Sequence, residues 1–235
     1  LSRPPPGHEF WLKVYNREAM DSLRGNLDRA AALVRQGSLE ARRIALIRAE
    51  FFEKMDAQSA EYCTMADVPS HKAYNAANRS RLVPLTDFRL YKEGHGTVEK
   101  VAENRWRIGP TKVPEDDGYP GARAICRARG LKPGARYRVS YFVRCKDVVS
   151  TNKPGNNGGF LTTVTFSDAD GGSHNWPARA YFAGTVDWVH HSHEFVADGS
   201  GTASVSFRLW AVDSGSAEFE DVTIEEIGQR EAGTR

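Results

Sequence analysis

The sequence predicts a mainly β protein, an antiparallel β-sandwich preceded by an α-helical hairpin. In the first 62 residues apolar side chains recur every three or four positions, which is the period of one helix face. After residue 82 they alternate with polar ones in short runs, which is the period of a strand with one buried side. Turn-forming sequences rich in Gly, Asn and Asp separate these runs, as in all-β sandwiches.

Two helices are expected before the sandwich. In Arg17–Gln36 the apolar positions form one stripe: Ala19, Met20, Leu23, Leu27, Ala30, Ala31 and Val34. Gly37 can end this helix in a left-handed conformation, and Ser38 can cap the next one. The stripe of the second helix consists of Ile44, Ile47, Phe51 and Met55. We therefore predict a helical hairpin appendage over 1–62 and a polar connector over 63–81 with one short helical turn.

The sandwich is predicted over 82–228, followed by a tail at 229–235. Strict alternation says which side chains point inward in two of its strands. The inward sets are Tyr137, Val139, Tyr141, Val143 and Cys145 in one strand, and Val205, Phe207, Leu209 and Ala211 in the other. The outward residues next to them include Phe142, Arg144, Arg208 and Trp210. Cys126 and Cys145 fall on inward positions, so we expect buried free thiols.

Charge and hydropathy exclude two kinds of partner. Lys and Arg outnumber Asp and Glu by 12 to 10 in residues 1–80, and the two classes balance at 20 each in residues 81–235. Neither half has the basic excess that drives binding to nucleic-acid phosphates. Since no run of 18 apolar residues occurs, no membrane-spanning segment is predicted either.

Several motifs of the β region resemble those of carbohydrate-binding modules of the jelly-roll, galactose-binding-like type, families 4, 9, 16 and 22. The strands "YRVSYFVR", "DWVHHSHEF" and "SVSFRLWAVDSGSAEFEDVTI" occur in the order of that group, and "LVPLTDF" looks like its first strand. The resemblance covers about 145 residues. It implies a polysaccharide or oligosaccharide ligand and a secreted, cell-surface or periplasmic protein.

The helical part has a resemblance of its own. "FWLKVYNREAMDSLRGNLDRAAALV" followed by "RRIALIRAEFF" is similar to the C-terminal helical tail of proteins related to α-glucuronidase-type glycoside hydrolases. This resemblance implies a catalytic domain upstream in the same chain.

The outward residues supply a candidate glycan site. Sugar rings stack their C–H faces on aromatic side chains, and guanidinium groups donate hydrogen bonds to the hydroxyls. In the modules resembled, the strands of Phe142 and Trp210 lie in one concave sheet. We therefore predict carbohydrate binding by Phe142, Arg144, Arg208 and Trp210, with Trp176 and Tyr181 as a rim. Trp188 matches a family position that usually packs in the core.

No cofactor, metal site or catalytic residue is predicted. In the modules resembled, a calcium ion is held near the place of Glu220 and Asp221 with the help of a Glu, and Arg89 stands at the place of that Glu. We expect an Arg89–Glu220 salt bridge at this place, and a structural calcium ion is the alternative. His191 and His193 point the same way on a strand and His190 the opposite way. Zinc would need further ligands, which the sequence does not reveal.

These observations together predict a noncatalytic carbohydrate-binding module that targets a polysaccharide-degrading enzyme to its glycan. The alternatives are a structural spacer sandwich without ligand, and a glycoside hydrolase or polysaccharide lyase. The paired acids Asp116–Asp117 and Glu220–Asp221 could in principle serve the last of these. The sequence does not say which glycan is bound.

Overall fold

The computed structural model describes residues 11–12, 14–83, 85–91, 96–109, 123–150, 158–167, 173–177, 182–197 and 201–229. The chain divides into two units, Leu1–Asp67 and Val68–Arg235. The first is helical and the second holds two antiparallel sheets, which confirms the predicted fold class. No helix in the described ranges is long and apolar enough to cross a membrane.

In the first unit, α1 spans Arg17–Leu33, α2 spans Leu39–Ile47 and α3 spans Glu53–Ala66. The Ser38 hydroxyl accepts a hydrogen bond from the Ala41 N–H at 3.1 Å, so the predicted start of α2 is confirmed. The predicted end of the first helix at Gly37 is wrong, because α1 ends at Leu33 with an extended Val34, and Gly37, with a φ of 77°, lies in the turn that leads to α2. Asp56 joins α3 to α1 through Arg17 at 3.0 Å and Arg24 at 2.7 Å.

The predicted stripe of the second helix is wrong in part. A π-helical turn, Arg48–Phe52, joins α2 to α3. Because a π turn adds one residue to the helix, the buried face shifts by about one position. Phe52 is consequently buried whereas Phe51 is exposed. Ile47, which precedes the π turn, is exposed as well.

The predicted connector is also wrong. Helix α3 runs on to Ala66, a fourth helix α4 spans Val68–Ala77, and a 3₁₀ turn spans Arg79–Arg81. Helix α4 belongs to the second unit, where it packs on a sheet.

Within the described residues, the second unit has the strands β1 Leu85–Tyr91, β2 Val98–Ala102, β3 Arg105–Ile108, β4 Arg123–Arg129, β5 Ala135–Ser150, β6 Gly159–Ser167, β7 Ser173–Pro177, β8 Gly184–Val196, β9 Thr202–Trp210 and β10 Val212–Gln229. Sheet A has the order β2-β3-β10-β5-β8, and sheet B the order β1-β4-β9-β6-β7.

The core lies between the inner faces of the two sheets. Phe207 of sheet B stacks on Phe219 of sheet A with ring centroids 4.3 Å apart, and Tyr141 meets Phe207 edge-on at 5.3 Å. The inward sets predicted from alternation are all buried. Cys126 and Cys145 are buried free thiols as predicted, and burial raises the pKa of each to about 12.

Candidate functional site

The predicted site residues lie on opposite sides of the sandwich. Phe142 and Arg144 are on β5 of sheet A, whereas Arg208 and Trp210 are on β9 of sheet B. The prediction that the two strands share one sheet is therefore wrong, although each residue points away from the core as alternation indicated. The outer sides are called here the sheet A face, with Phe142, Arg144, Trp188, His190, Glu218 and Glu220, and the sheet B face, with Arg89, Arg123, Arg127, Thr163, Ser206, Arg208 and Trp210.

Helix α4 covers the centre of the sheet A face. The His71 ring stacks on His190 with centroids 3.6 Å apart, and the Lys72 ammonium lies 5.1 Å from the centroid of the Phe142 ring. The Tyr74 hydroxyl donates to the Glu225 carboxylate at 2.9 Å. Phe142 is consequently 0% exposed, although it points outward. A ring buried in this way presents no surface on which a sugar could stack.

Two carboxylates next to Phe142 are neutralised by cations. Glu220 accepts hydrogen bonds from Lys72 at 2.7 Å and Arg105 at 2.6 Å. Burial acts to raise the pKa of Glu220, but these two hydrogen bonds lower it overall.

The expected Arg89–Glu220 salt bridge is wrong because Arg89 lies on β1 in the other sheet, where it pairs with Ile125 of β4.

Glu218 is held in the same way. It binds Arg107 at 2.8 Å and Arg144 at 2.8 Å, and these hydrogen bonds lower the pKa of Glu218 against the opposing effect of burial. A glycosidase general acid needs a raised carboxyl pKa so that it is protonated near neutral pH. Glu218 and Glu220 have the opposite property. In the predicted pair Glu220–Asp221, burial and the neighbouring Glu220 raise the pKa of Asp221, whereas the pKa of Glu220 is lowered. Asp116 and Asp117 lie outside the described residues.

The sequence resemblance led us to expect Trp188 in the core, but Trp188 does not pack there. Its neighbour Val189 is buried opposite Val143 on the inner side, so Trp188 projects outward on β8. The guanidinium carbons of Arg105 and Arg144 lie 5.1 and 5.0 Å from the centroid of its ring. This arrangement is a cation–π contact on the edge strand of sheet A. Arg144 is thus held by both Glu218 and Trp188.

The sheet B face carries a partly exposed aromatic side chain. Trp210 ends β9 in register with Gly159 of β6, so no side chain stands beside it on that neighbouring strand. The indole is half-buried, and the Arg208 guanidinium carbon lies 4.6 Å from its ring centroid. An indole supported from one side by a guanidinium retains area for a flat apolar ligand.

Hydroxyl groups continue along the same face. Four residues before Trp210 on β9, Ser206 pairs with Thr163 of β6, and beyond it Ser204 pairs with Thr165. On the other side of β9, strand β4 places Arg123 opposite Arg208 and Arg127 opposite Ser204. The face thus combines one aromatic ring, a row of hydroxyls and several guanidiniums.

The two predicted rim residues are only partly located. Trp176 lies on β7, at the edge of sheet B, in register with Val164. The structure does not describe its side chain. Tyr181 lies outside the described residues.

The histidines of β8 divide between the two sides of sheet A as predicted. His191 and His193 pair with the inward Tyr141 and Val139, and His190 pairs with the outward Phe142. Burial lowers the pKa of His193 to about 4, so its imidazole is neutral. In the part of the chain that the structure describes, no three His, Cys, Asp or Glu side chains converge on a possible metal position.

Comparison with known proteins gives distant structural similarities only. No protein-family model matches the chain, and no curated protein matches it. The enzymatically active domain of tailspike protein 4 from bacteriophage CBA120 has 13% identity and a TM-score of 0.41, over 60% of this chain but only 20% of that one. The family 22 xylan-binding module of a Paenibacillus barcinonensis protein has 11% identity and a TM-score of 0.40, over 59% of this chain and 86% of that one.

A family 61 carbohydrate-binding module, solved in complex with β-1,4-galactotriose, has 11% identity and a TM-score of 0.37 over 65% of this chain and 95% of that one. Similarities this low do not assign a function. The function is therefore argued below from the residues of this chain.

Sequence reasoning missed the features that distinguish the two faces. It missed helix α4, because the stretch 68–77 is polar and lacks a strong apolar stripe. It also missed Arg123 and Arg127, whose alternation with Ala124 and Cys126 in "RAICRAR" does show that the arginines point outward. That pattern could have been found.

Proposed function

We propose that the sheet B face binds carbohydrate and that the protein is a noncatalytic carbohydrate-binding module. The observation that carries this proposal is the half-buried Trp210 indole on an outer sheet face, with the Arg208 guanidinium beside it. An aromatic ring next to a directional donor matches a sugar, whose C–H face is apolar and whose rim carries hydroxyls.

The rest of the sheet B face supports an extended ligand. Ser204 of β9 and Thr163 and Thr165 of β6 are half-buried hydroxyl residues at neighbouring outward positions, and Ser206 beside them is buried. At about 3.3 Å per residue, the outward positions from Thr202 to Trp210 span roughly 26 Å, enough for several sugar units. The proposed contact set is Trp210, Arg208, Thr163 and Arg123, with Tyr181 kept as a rim residue. Trp176 is in register with Val164, which is buried on the inner side, so it is not included.

The sheet A face is less suited to this role. Its aromatic Phe142 is buried under α4, and the Arg144 guanidinium is already bonded to Glu218. Glu218 and Glu220 of this face are held in the ionised form by cations. That state supports a structural role for the two acids better than general acid catalysis.

The biological setting is proposed from the sequence resemblances. A module of this kind would target a polysaccharide-degrading enzyme to its glycan outside the cell or in the periplasm, with the helical unit next to a catalytic domain. A spacer sandwich without ligand is the alternative, and the binding experiment below separates the two.

The test is a glycan array with the intact chain, followed by titration of the best ligand against two tryptophan variants. We expect Trp210→Ala to weaken binding tenfold or more, since removing one stacking aromatic costs about 1–3 kcal/mol. The matched control Trp188→Ala lies on the sheet A face and should bind normally. The proposal fails if no glycan binds, or if Trp188→Ala weakens binding while Trp210→Ala does not.

A further inference from the structure

Outward arginines lie on both sheets, but the middle strands of sheet B supply no acidic residues to pair with them. The outward positions of β1, β4 and β9 carry Arg89, Arg123, Arg127, Arg129 and Arg208. The sequences of β4, β6 and β9, which form the middle of sheet B, contain no aspartate or glutamate. Residues 81–235 as a whole have 20 basic and 20 acidic residues, so the separation of acids from arginines in the middle of sheet B comes from the way the strands are arranged.

The sheet A face uses its arginines differently. Arg105 binds Glu220 at 2.6 Å, and Arg107 and Arg144 each bind Glu218 at 2.8 Å. On the sheet B face, Arg89 is exposed and Arg127 half-buried, and within the described ranges neither forms an ion pair. Their guanidiniums are available to an anion from solution.

The positions of these arginines form a strip rather than a single point. Arg123 lies directly opposite Arg208, Arg89 lies one outward position further along, and Arg127 one beyond that. Outward positions on a strand are roughly 6.6 Å apart. Since Arg89 and Arg127 have no carboxylate partner among the described residues, a ligand with regularly spaced carboxylates can pair with both guanidiniums.

We propose that the glycan bound on the sheet B face is an acidic polysaccharide whose sugar units carry carboxylates, that is, a polyuronate. This inference rests on the proposed function, because the strip of arginines begins at Trp210, which would stack on a sugar ring. A guanidinium binds a carboxylate through two parallel hydrogen bonds, which makes arginine the side chain suited to this ligand.

A polyuronate explains this face better than a nucleic acid does. The row of serine and threonine hydroxyls between β9 and β6 matches the many hydroxyls of a sugar chain. Only one aromatic, Trp210, lies on the outward positions of β4, β6 and β9, whereas single-stranded nucleic acids are held by several stacked bases.

The test compares polygalacturonate with the same polymer after chemical reduction of its carboxyl groups, which leaves a neutral chain of the same linkage. Affinity of the intact protein for both is measured by titration calorimetry at several salt concentrations. We expect at least tenfold tighter binding of the charged polymer and a loss of affinity as salt increases.

Arg89→Gln and Arg127→Gln are the diagnostic variants, because neither residue contributes to the core or to an ion pair among the described residues. Each should weaken binding of polygalacturonate by about threefold to tenfold, reduce its salt dependence, and leave binding of the reduced polymer unchanged. Arg136→Gln is the matched control. It removes the same charge from the opposite side, where Arg136 pairs with Glu194, and should change neither affinity.

The outcomes separate this inference from the proposed function. Equal binding of the charged and reduced polymers would overturn the inference and leave the proposed function standing. Tighter binding of a sulfated polysaccharide or of DNA than of polygalacturonate would also overturn the polyuronate assignment. If neither galacturonan binds and the glycan array is negative, the proposed function fails as well.

Discussion

The two outer faces of the sandwich are built from similar residues but put them to different uses. Both carry an aromatic next to arginines: Phe142 with Arg144 on sheet A, and Trp210 with Arg208 on sheet B. On sheet A a helix buries the aromatic and carboxylates bind the arginines. On sheet B the indole is partly exposed. The same residue types therefore stabilise the fold on one side and are proposed to bind ligand on the other.

What covers a face decides between these uses. Helix α4 brings His71, Lys72 and Tyr74 onto the sheet A face, and each contacts a different side chain there: His190, Glu220 and Glu225. Burying an outward phenylalanine contributes to stability as a core residue does. The comparison predicts that substitutions on the sheet A face mainly affect folding and those on the sheet B face mainly affect binding.

The largest effect should come from Phe142→Ala. Removing a fully buried phenylalanine from under α4 should lower the free energy of unfolding by about 3–5 kcal/mol. Urea denaturation of this variant and of Trp210→Ala checks the comparison, because the second should lose less than about 1 kcal/mol. Equal losses for the two variants would show that the two faces do not differ in this way.

A smaller loss is expected from Glu220→Gln. Its side chain is 9% exposed and binds both Lys72 and Arg105, so neutralising it leaves two cations without their shared carboxylate. We expect a loss of about 1–3 kcal/mol in urea denaturation. Glu99→Gln, which breaks an exposed pair with Arg107, should cost less than about 1 kcal/mol. A neutral result for Glu220→Gln would mean that these ion pairs do not hold α4 in place.

Trp188→Ala should have a more modest effect on stability. The ring is half-buried and contacts two guanidiniums, and each such contact at a partly exposed site contributes about 0.5–1 kcal/mol. The predicted loss is therefore about 1–2 kcal/mol, measured by denaturation. A loss as large as that of Phe142→Ala would instead indicate the core position that the sequence resemblance suggests.

The smallest effect is a pH dependence of the sheet A face. Burial, together with the charges of His71 and Arg138, lowers the pKa of His190 to about 3. An unfolded histidine takes up a proton near pH 6.5, so between these values the unfolded state binds more protons and stability falls as the pH decreases.

Thermal melting at pH 7 and pH 5 measures this effect. The decrease in Tm should be larger for the wild type than for His190→Gln by on the order of 2–4 °C. The carboxylates that face α4, Glu220 and Glu225, are present in both proteins, so they do not account for the difference. Identical decreases would contradict a neutral His190 under α4.

Much of the fold could be predicted from local pattern. Alternation indicated correctly that Tyr141 and Phe207 point inward and that Phe142 and Trp210 point outward, because successive side chains of a strand lie on opposite sides whatever the strand pairs with. Ser38 marked the start of a helix because capping depends on a few neighbouring residues.

Only the tertiary structure decided which residues share a face and which of them are covered. The assignment of β5 and β9 to different sheets depends on pairing between strands far apart in the chain, so Phe142 and Trp210 were wrongly combined in one site. The burial of Phe142 depends on α4, and the pairing of Glu220 with Lys72 joins residues 148 positions apart. Local backbone geometry determines on which side of its strand each side chain lies, so the sequence alone is enough to predict it. The order of the strands and the covering of a sheet by a helix result from the folding of the whole unit.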